Sequence, residues 1–353
     1  MNQEYLLGKQ IDSHKSWADI LRVFCIFGVI VIHACGSTIY SYGKISSIDW
    51  LEGNLLDSFV RCSVPLFVML SGALIIRLKV SSVHEVFKRI LKVLIPLMIW
   101  DFFFLLYVSH FSGSPLKLQS IFINPPMYHL WFVYMIIGLY LILPLFQMLF
   151  LSLIHRKEMQ IYLFFVWFVI SSLPIYMSTS CIANYQQLNL FQQINVFGYG
   201  GYFMIGAFLA DQCKQSKLPS YKFFIIFLAG VAATFLYTLY FSQVCNGLIE
   251  TAYLYLSPNV ILSSIALFIV FNGLSVKYWV ANYFKWVADK VFLIYFIHVV
   301  ILEHVSNSHL IASIKQTLPV FFVILIVSLL TFVISLAFAS ALRLLPKSKF
   351  YIG

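Results

Sequence analysis

Arg22 and His33 stand eleven residues apart in one apolar run. Eleven helical residues turn about 1100°, three turns and about 20°, so both side chains share a face about 16.5 Å apart along the axis. Imidazole exchanges a proton near neutral pH, which suits His33 to general-base work. The plainer reading is a histidine hydrogen-bonded within a bundle and an arginine anchoring a helix end. Two more histidines sit in similar settings. Tyr128-His129-Leu130-Trp131 opens one apolar run, and Tyr295-Phe296-Ile297-His298 lies within another, followed by Glu303 and His304. Three histidines from three segments at similar depth imply a polar, water-filled cavity opening toward the His33 end. At the other end Arg89 and Lys92, three apart on one helical face, suit a phosphate clamp or a topology anchor. Asp57 and Arg61, at i and i+4, can pair. Asp101 lies inside an apolar run and needs a partner. Ser71 has no triad behind it and is not expected to be a nucleophile.

The elements that carry these residues follow from composition. The chain has 353 residues, 61% apolar and 10% charged, with 35 Phe and 21 Tyr. Soluble domains carry about 25% charged residues, so a soluble fold is excluded. Six scattered cysteines without a C-x-x-C pair exclude a disulfide scaffold and give no metal or redox motif. Cys181 and Cys245 fall on the same expected face and could bridge. The remaining class is an all-α, polytopic transmembrane bundle. About ten spans are expected, near 19–40, 55–76, 90–110, 129–152, 159–177, 196–212, 222–242, 257–275, 289–305 and 318–344. Pro65 predicts a kink in the second. The sixth is short and glycine-rich. Residues 1–353 read as a single membrane domain with no soluble C-terminal domain and no cleavable leader.

With both termini on the cytoplasmic side, 19 of the 23 basic residues fall on inner segments and 4 on outer ones. That asymmetry is the positive-inside signature, so the net charge of +10 is mostly topological. The basic residues form no single patch, and nucleic-acid binding is excluded.

The order of these motifs resembles the acyltransferase-3 family of integral membrane acyltransferases over nearly the whole chain. Arg22-x10-His33 looks like the family's Arg/Lys-x10-His motif. Arg61-Cys-Ser-Val-Pro-Leu-Phe-Val-Met-Leu-Ser-Gly72 looks like its second signature. Arg89-x-x-Lys92 is similar to an Arg-x-x-Arg motif, with lysine losing the planar fork but keeping charge. Tyr128-His-Leu-Trp131 and Ile294-Tyr-Phe-Ile-His298 match two more. The last two segments look most like surface-polysaccharide O-acetyltransferases of the enterobacterial common antigen type.

The resemblance implies acetyl transfer from cytosolic acetyl-CoA to a hydroxyl of a cell-surface glycan or its lipid-linked precursor. It implies a multi-pass protein of the bacterial cytoplasmic (inner) membrane, in contact with membrane lipids. The donor is a substrate; no cofactor is held permanently and no metal is expected. His33, His129 and His298 are the expected catalytic residues. Arg22, Arg89 and Lys92 would bind the donor, and Trp131, Tyr128, Glu303 and Arg61 the acceptor. His33 would act as general base or accept the acetyl group itself. A glycan or lipid transporter also tolerates buried charges, but no two-fold repeat of spans is visible. A structural partner without chemistry is the third reading.

Overall fold

A computed structural model describes residues 2–76, 79–112, 125–177, 195–215 and 220–353, which are helical with no strand among them. The first helix, α1 (Asn2–Ile39), carries both Arg22 and His33. Next come α2 (Ser47–Val60) and α3 (Ser63–Ile75), which together form one 29-residue stretch long and apolar enough to cross a membrane. The break between them falls at Arg61 and Cys62. Pro65 is the cause: it has no N–H to return to the Arg61 carbonyl four residues back. The helical ladder is interrupted there, while the two helices still count as one span. The start of this element was set too late, at residue 55, because Asp49 and Glu52 look like loop residues. Ser46 starts the helix by accepting from the Asp49 N–H, and the Glu52 carboxylate accepts the Phe321 N–H of a later helix.

The chain continues through α4 (Val83–Ser112), α5 (Trp131–Leu141), α6 (Leu143–Leu153) and α7 (Lys157–Met177). The expected single span 129–152 is broken: a short 3-10 turn, Tyr128–Leu130, leads into α5, and α5 and α6 meet at 61°. Pro144, in the first turn of α6, leaves the Tyr140 carbonyl without its helical donor, and the chain bends there.

Beyond lie α8 (Val196–Gln215), α9 (Ser220–Val244), α10 (Pro258–Asn272), α11 (Tyr278–Ala288), α12 (Val291–Ser306), α13 (His309–Lys315), α14 (Val320–Leu342) and α15 (Ser348–Tyr351). Among the described residues seven helical stretches are long and apolar enough to span a membrane, or nine if the bent pairs α5–α6 and α12–α13 each count as one. The expected sixth span is helical as α8 but is not among them. It lies at the centre of the bundle, with Tyr202 and Phe203 fully buried. Helix α11 was read as a loop. It is short, and it turns Val287 and Ala288 inward and Trp279, Tyr283 and Trp286 outward.

In lipid the apolar surroundings give helices little hydrophobic reason to associate, so close packing and hydrogen bonds hold them. Two glycines allow this between α3 and α8. A Cβ on Gly72 would lie 1.8 Å from the Phe203 carbonyl oxygen, and one on Gly206 would lie 1.9 Å from that of Met69. The outward faces are apolar, with Phe102, Ile161, Phe165 and Phe338 exposed.

Candidate active site

Helices α1 and α12 and the 3-10 turn before α5 bring the three histidines together. The His33 and His298 rings stack with centroids 5.4 Å apart. His129 meets His298 edge-on at 5.3 Å. Tyr128 covers His33 edge-on at 5.1 Å and is itself largely exposed. The His298 Nδ1 lies 2.6 Å from the Tyr295 carbonyl oxygen, so Nδ1 carries the proton and donates. Its Nε2 is then an acceptor, and that atom is buried with no hydrogen bond. Neither ring nitrogen of His129 makes a hydrogen bond, with the Phe296 carbonyl beside the ring. Buried polar atoms left unpaired are costly and concentrate where chemistry needs them.

Tyr295 locks this cluster. Its hydroxyl donates to the His129 carbonyl, while its own carbonyl holds His298. Sequence reasoning quoted Tyr295 within a motif but gave it no role; its spacing of three from His298 was the available signal.

The expected water-filled cavity is not what surrounds His33. A cleft of about 30 Å³ lies there, lined by residues including His33, His129, Trp131, Tyr255 and Tyr295. It has room for one or two water molecules. Aromatic rings fill the rest: Trp131 stacks on Tyr255 at 5.9 Å and packs against Tyr199 at 5.6 Å. The open space lies at the other end, in a cavity of about 600 Å³ whose lining includes Arg22, Lys92, Asp289, Arg343 and Lys349. That volume falls within the range of small-molecule sites. Phe67, Phe132 and Tyr295 line both spaces. Their rings stand 6.0 Å and 5.7 Å apart in sequence and separate cavity from cleft.

The remaining expected residues divide. Arg22 and Lys92 line the large cavity, with Arg22 also donating to Asp19 at 3.0 Å. Arg89 is not in the lining, though it lies near the cavity's Tyr140. Glu303 accepts from the Tyr107 hydroxyl at 3.0 Å on the rim near Tyr128. Arg61 is engaged by Asp57, its Nε donating at 2.9 Å, and its guanidinium lies 4.3 Å over the Tyr253 ring. Asp101 has found its partner, accepting from the Tyr134 hydroxyl at 2.6 Å. Cys25, Cys35 and Cys62 are free, and Cys245 is disulfide-bonded. Its expected partner Cys181 lies outside the described residues. No cluster of metal-ligating side chains occurs among the described residues.

At the cavity mouth Asp289 meets two cations. Lys349 donates to its Oδ1, Arg343 Nε stands 3.7 Å from Oδ2, and Arg343 Nη2 donates to its backbone carbonyl at 2.7 Å. Partial burial pushes the Asp289 carboxyl up, but Lys349, Arg343 and Lys290 outweigh it and hold it below its ordinary value.

A cation-lined chamber and a histidine cluster, divided by aromatic rings, thus lie inside an apolar helical bundle. A family model described as an acyltransferase domain matches residues 15–339, and the chain belongs to that acyltransferase-3 family. It is a multi-pass membrane acyltransferase. Neither a curated protein nor a solved structure matches it.

Proposed function

We propose that this chain moves an acetyl group from cytosolic acetyl-CoA to a hydroxyl of a cell-surface glycan, or its lipid-linked precursor, in the bacterial inner membrane. The observation that carries this reading is the succession of cationic chamber, aromatic constriction and histidine cluster along one axis. An anionic donor suits a chamber holding Arg22 and Lys92. The flexible pantetheine arm would pass Phe67, Phe132 and Tyr295 to present the thioester beside His33. The acceptor would enter from the rim formed by Tyr128 and Glu303, with Trp131 as an apolar face for a sugar ring.

In this scheme the neutral His33 imidazole takes the proton of the acceptor hydroxyl as its oxygen attacks the thioester carbon. The tetrahedral intermediate collapses, the C–S bond breaks, and the CoA thiolate leaves and receives the proton. His129 and His298 lie beside His33: a His129 ring N–H would donate to the developing oxyanion, and the His298 Nε2, an acceptor, would orient a protonated His33. An acetyl-histidine route uses the same residues in two steps.

The test is the O-acetyl content of surface polysaccharide, read by NMR in cells lacking the protein. Complementation with wild type should restore the O-acetyl signals, and His33→Ala at equal expression should not, consistent with a general base worth about 10²–10⁴-fold in rate. Restoration by both would remove His33 from the chemistry. Loss of the glycan itself from the surface would favour a transporter.

A further inference from the structure

The large cavity is walled partly by residues that follow the last long helix and lie beyond the family-matched stretch 15–339. Arg343, Lys349, Phe350 and Gly353 all line it. This segment is docked, because the Trp100 indole N–H donates to the Ile352 carbonyl at 3.1 Å and a Cβ on Gly353 would lie 2.9 Å from the Phe292 ring. The lining thus holds four cationic side chains, Arg22, Lys92, Arg343 and Lys349, against one acidic side chain, Asp289. The Arg343 side chain is only 12% exposed, and its Nε and Nη1 are buried without a hydrogen bond. A largely buried guanidinium in the wall of a cavity is suited to phosphate oxygens, its strongest partners.

We infer that Arg343 and Lys349 complete the phosphate clamp of the donor site, with Asp289 as the internal anion that a donor phosphate displaces. This rests on the acyl-CoA reading above. The Asp289 carboxylate is placed to hold both cations at the mouth, and an arriving phosphate offers them more charge and more acceptor oxygens. The clamp therefore recognises the phosphates of the nucleotide end and not the pantetheine arm.

Binding of CoA to the purified full-length protein, measured calorimetrically, tests the inference. Arg343→Gln should weaken CoA binding about tenfold or more, the worth of a hydrogen bond to a charged group, and should leave binding of phosphate-free pantetheine unchanged. Asp289→Asn should leave CoA binding equal or tighter, because it removes the competing anion. If the segment were only a wall, both substitutions would loosen it and weaken both ligands alike, and that result overturns the clamp. Lys349→Gln, on a side chain 73% exposed, carries the same test with a several-fold loss expected if Arg343→Gln does not accumulate. Should Arg22→Gln and Lys92→Gln lose CoA while Arg343→Gln and Lys349→Gln keep it, the donor site stands and the clamp falls. Wild-type protein that ignores CoA removes both.

Discussion

Two buried charges show how much individual residues carry. Asp57 is fully buried and depends on Arg61. Removing one partner of such a pair typically costs about 3–5 kcal/mol, because it strands the other charge. Arg61→Ala should therefore lower the amount of folded protein sharply, and Asp57→Asn with Arg61→Ala should recover much of it. Detergent thermal-shift assays on single and double variants decide this; equal losses in both would mean that the stranded Asp57 charge is not the cause, and that Arg61 stabilises through other contacts such as Tyr253. Tyr134→Phe is the milder counterpart. It leaves Asp101 buried without its donor and should cost about 1 kcal/mol, read as a lower melting temperature. These pairings were half legible in the sequence. The i, i+4 spacing announced Asp57–Arg61, whereas Tyr134 is 33 residues from Asp101 and only the bundle brings them together. The histidine cluster was legible because ionisable side chains are so costly in apolar spans that each stands out. The rings around it were not, since an aromatic in a membrane helix reads equally as packing.

Among the helices, the α3–α8 contact is the most exacting. Gly72→Ala puts a methyl group onto the Phe203 carbonyl, backbone that cannot step aside. Overpacking of this kind costs about 1–3 kcal/mol, occasionally more. Gly36→Ala, with nothing within 4 Å of the added carbon, should be neutral. Expression and melting of the two variants, compared side by side, would sink the close-contact account if they behaved alike. The sequence showed Gly72 as the end of a signature and the glycines of α8 as the mark of a short span. It did not show that these belong to each other. Breaks were read with similar partial success: Pro65 was taken as a kink, while Pro144 passed unremarked within an unbroken apolar run.

For the molecule as a whole, the proposed function requires the arrangement to admit an acyl donor from one end without admitting water along with it. Phe67, Phe132 and Tyr295 stand at that boundary. Excluding water from a reactive intermediate prevents its wasteful hydrolysis. Phe132→Ala should accordingly raise acetyl-CoA hydrolysis in the absence of acceptor by several-fold, measured as free thiol release, while lowering transfer to glycan. Unchanged thiol release would show that the rings do not form the seal. The basic bias of the loops foretold which end would be cationic. It did not foretell Arg343 and Lys349 as cavity walls, because near a helix end they look like any other topology anchor.

Tyr295 belongs to the boundary and to the histidine cluster at once. Its ring faces both spaces, its hydroxyl holds the His129 backbone, and its carbonyl holds the His298 ring. Whatever acyl group passes must do so without dislodging it. On the proposed reading, a short acyl group would slide by and find the histidine rings in register; a bulky or branched one would lever Tyr295 aside and unseat two of the three. The same residue would then work as a gauge, and an oversized cargo would be refused by arriving at a site it has itself taken apart.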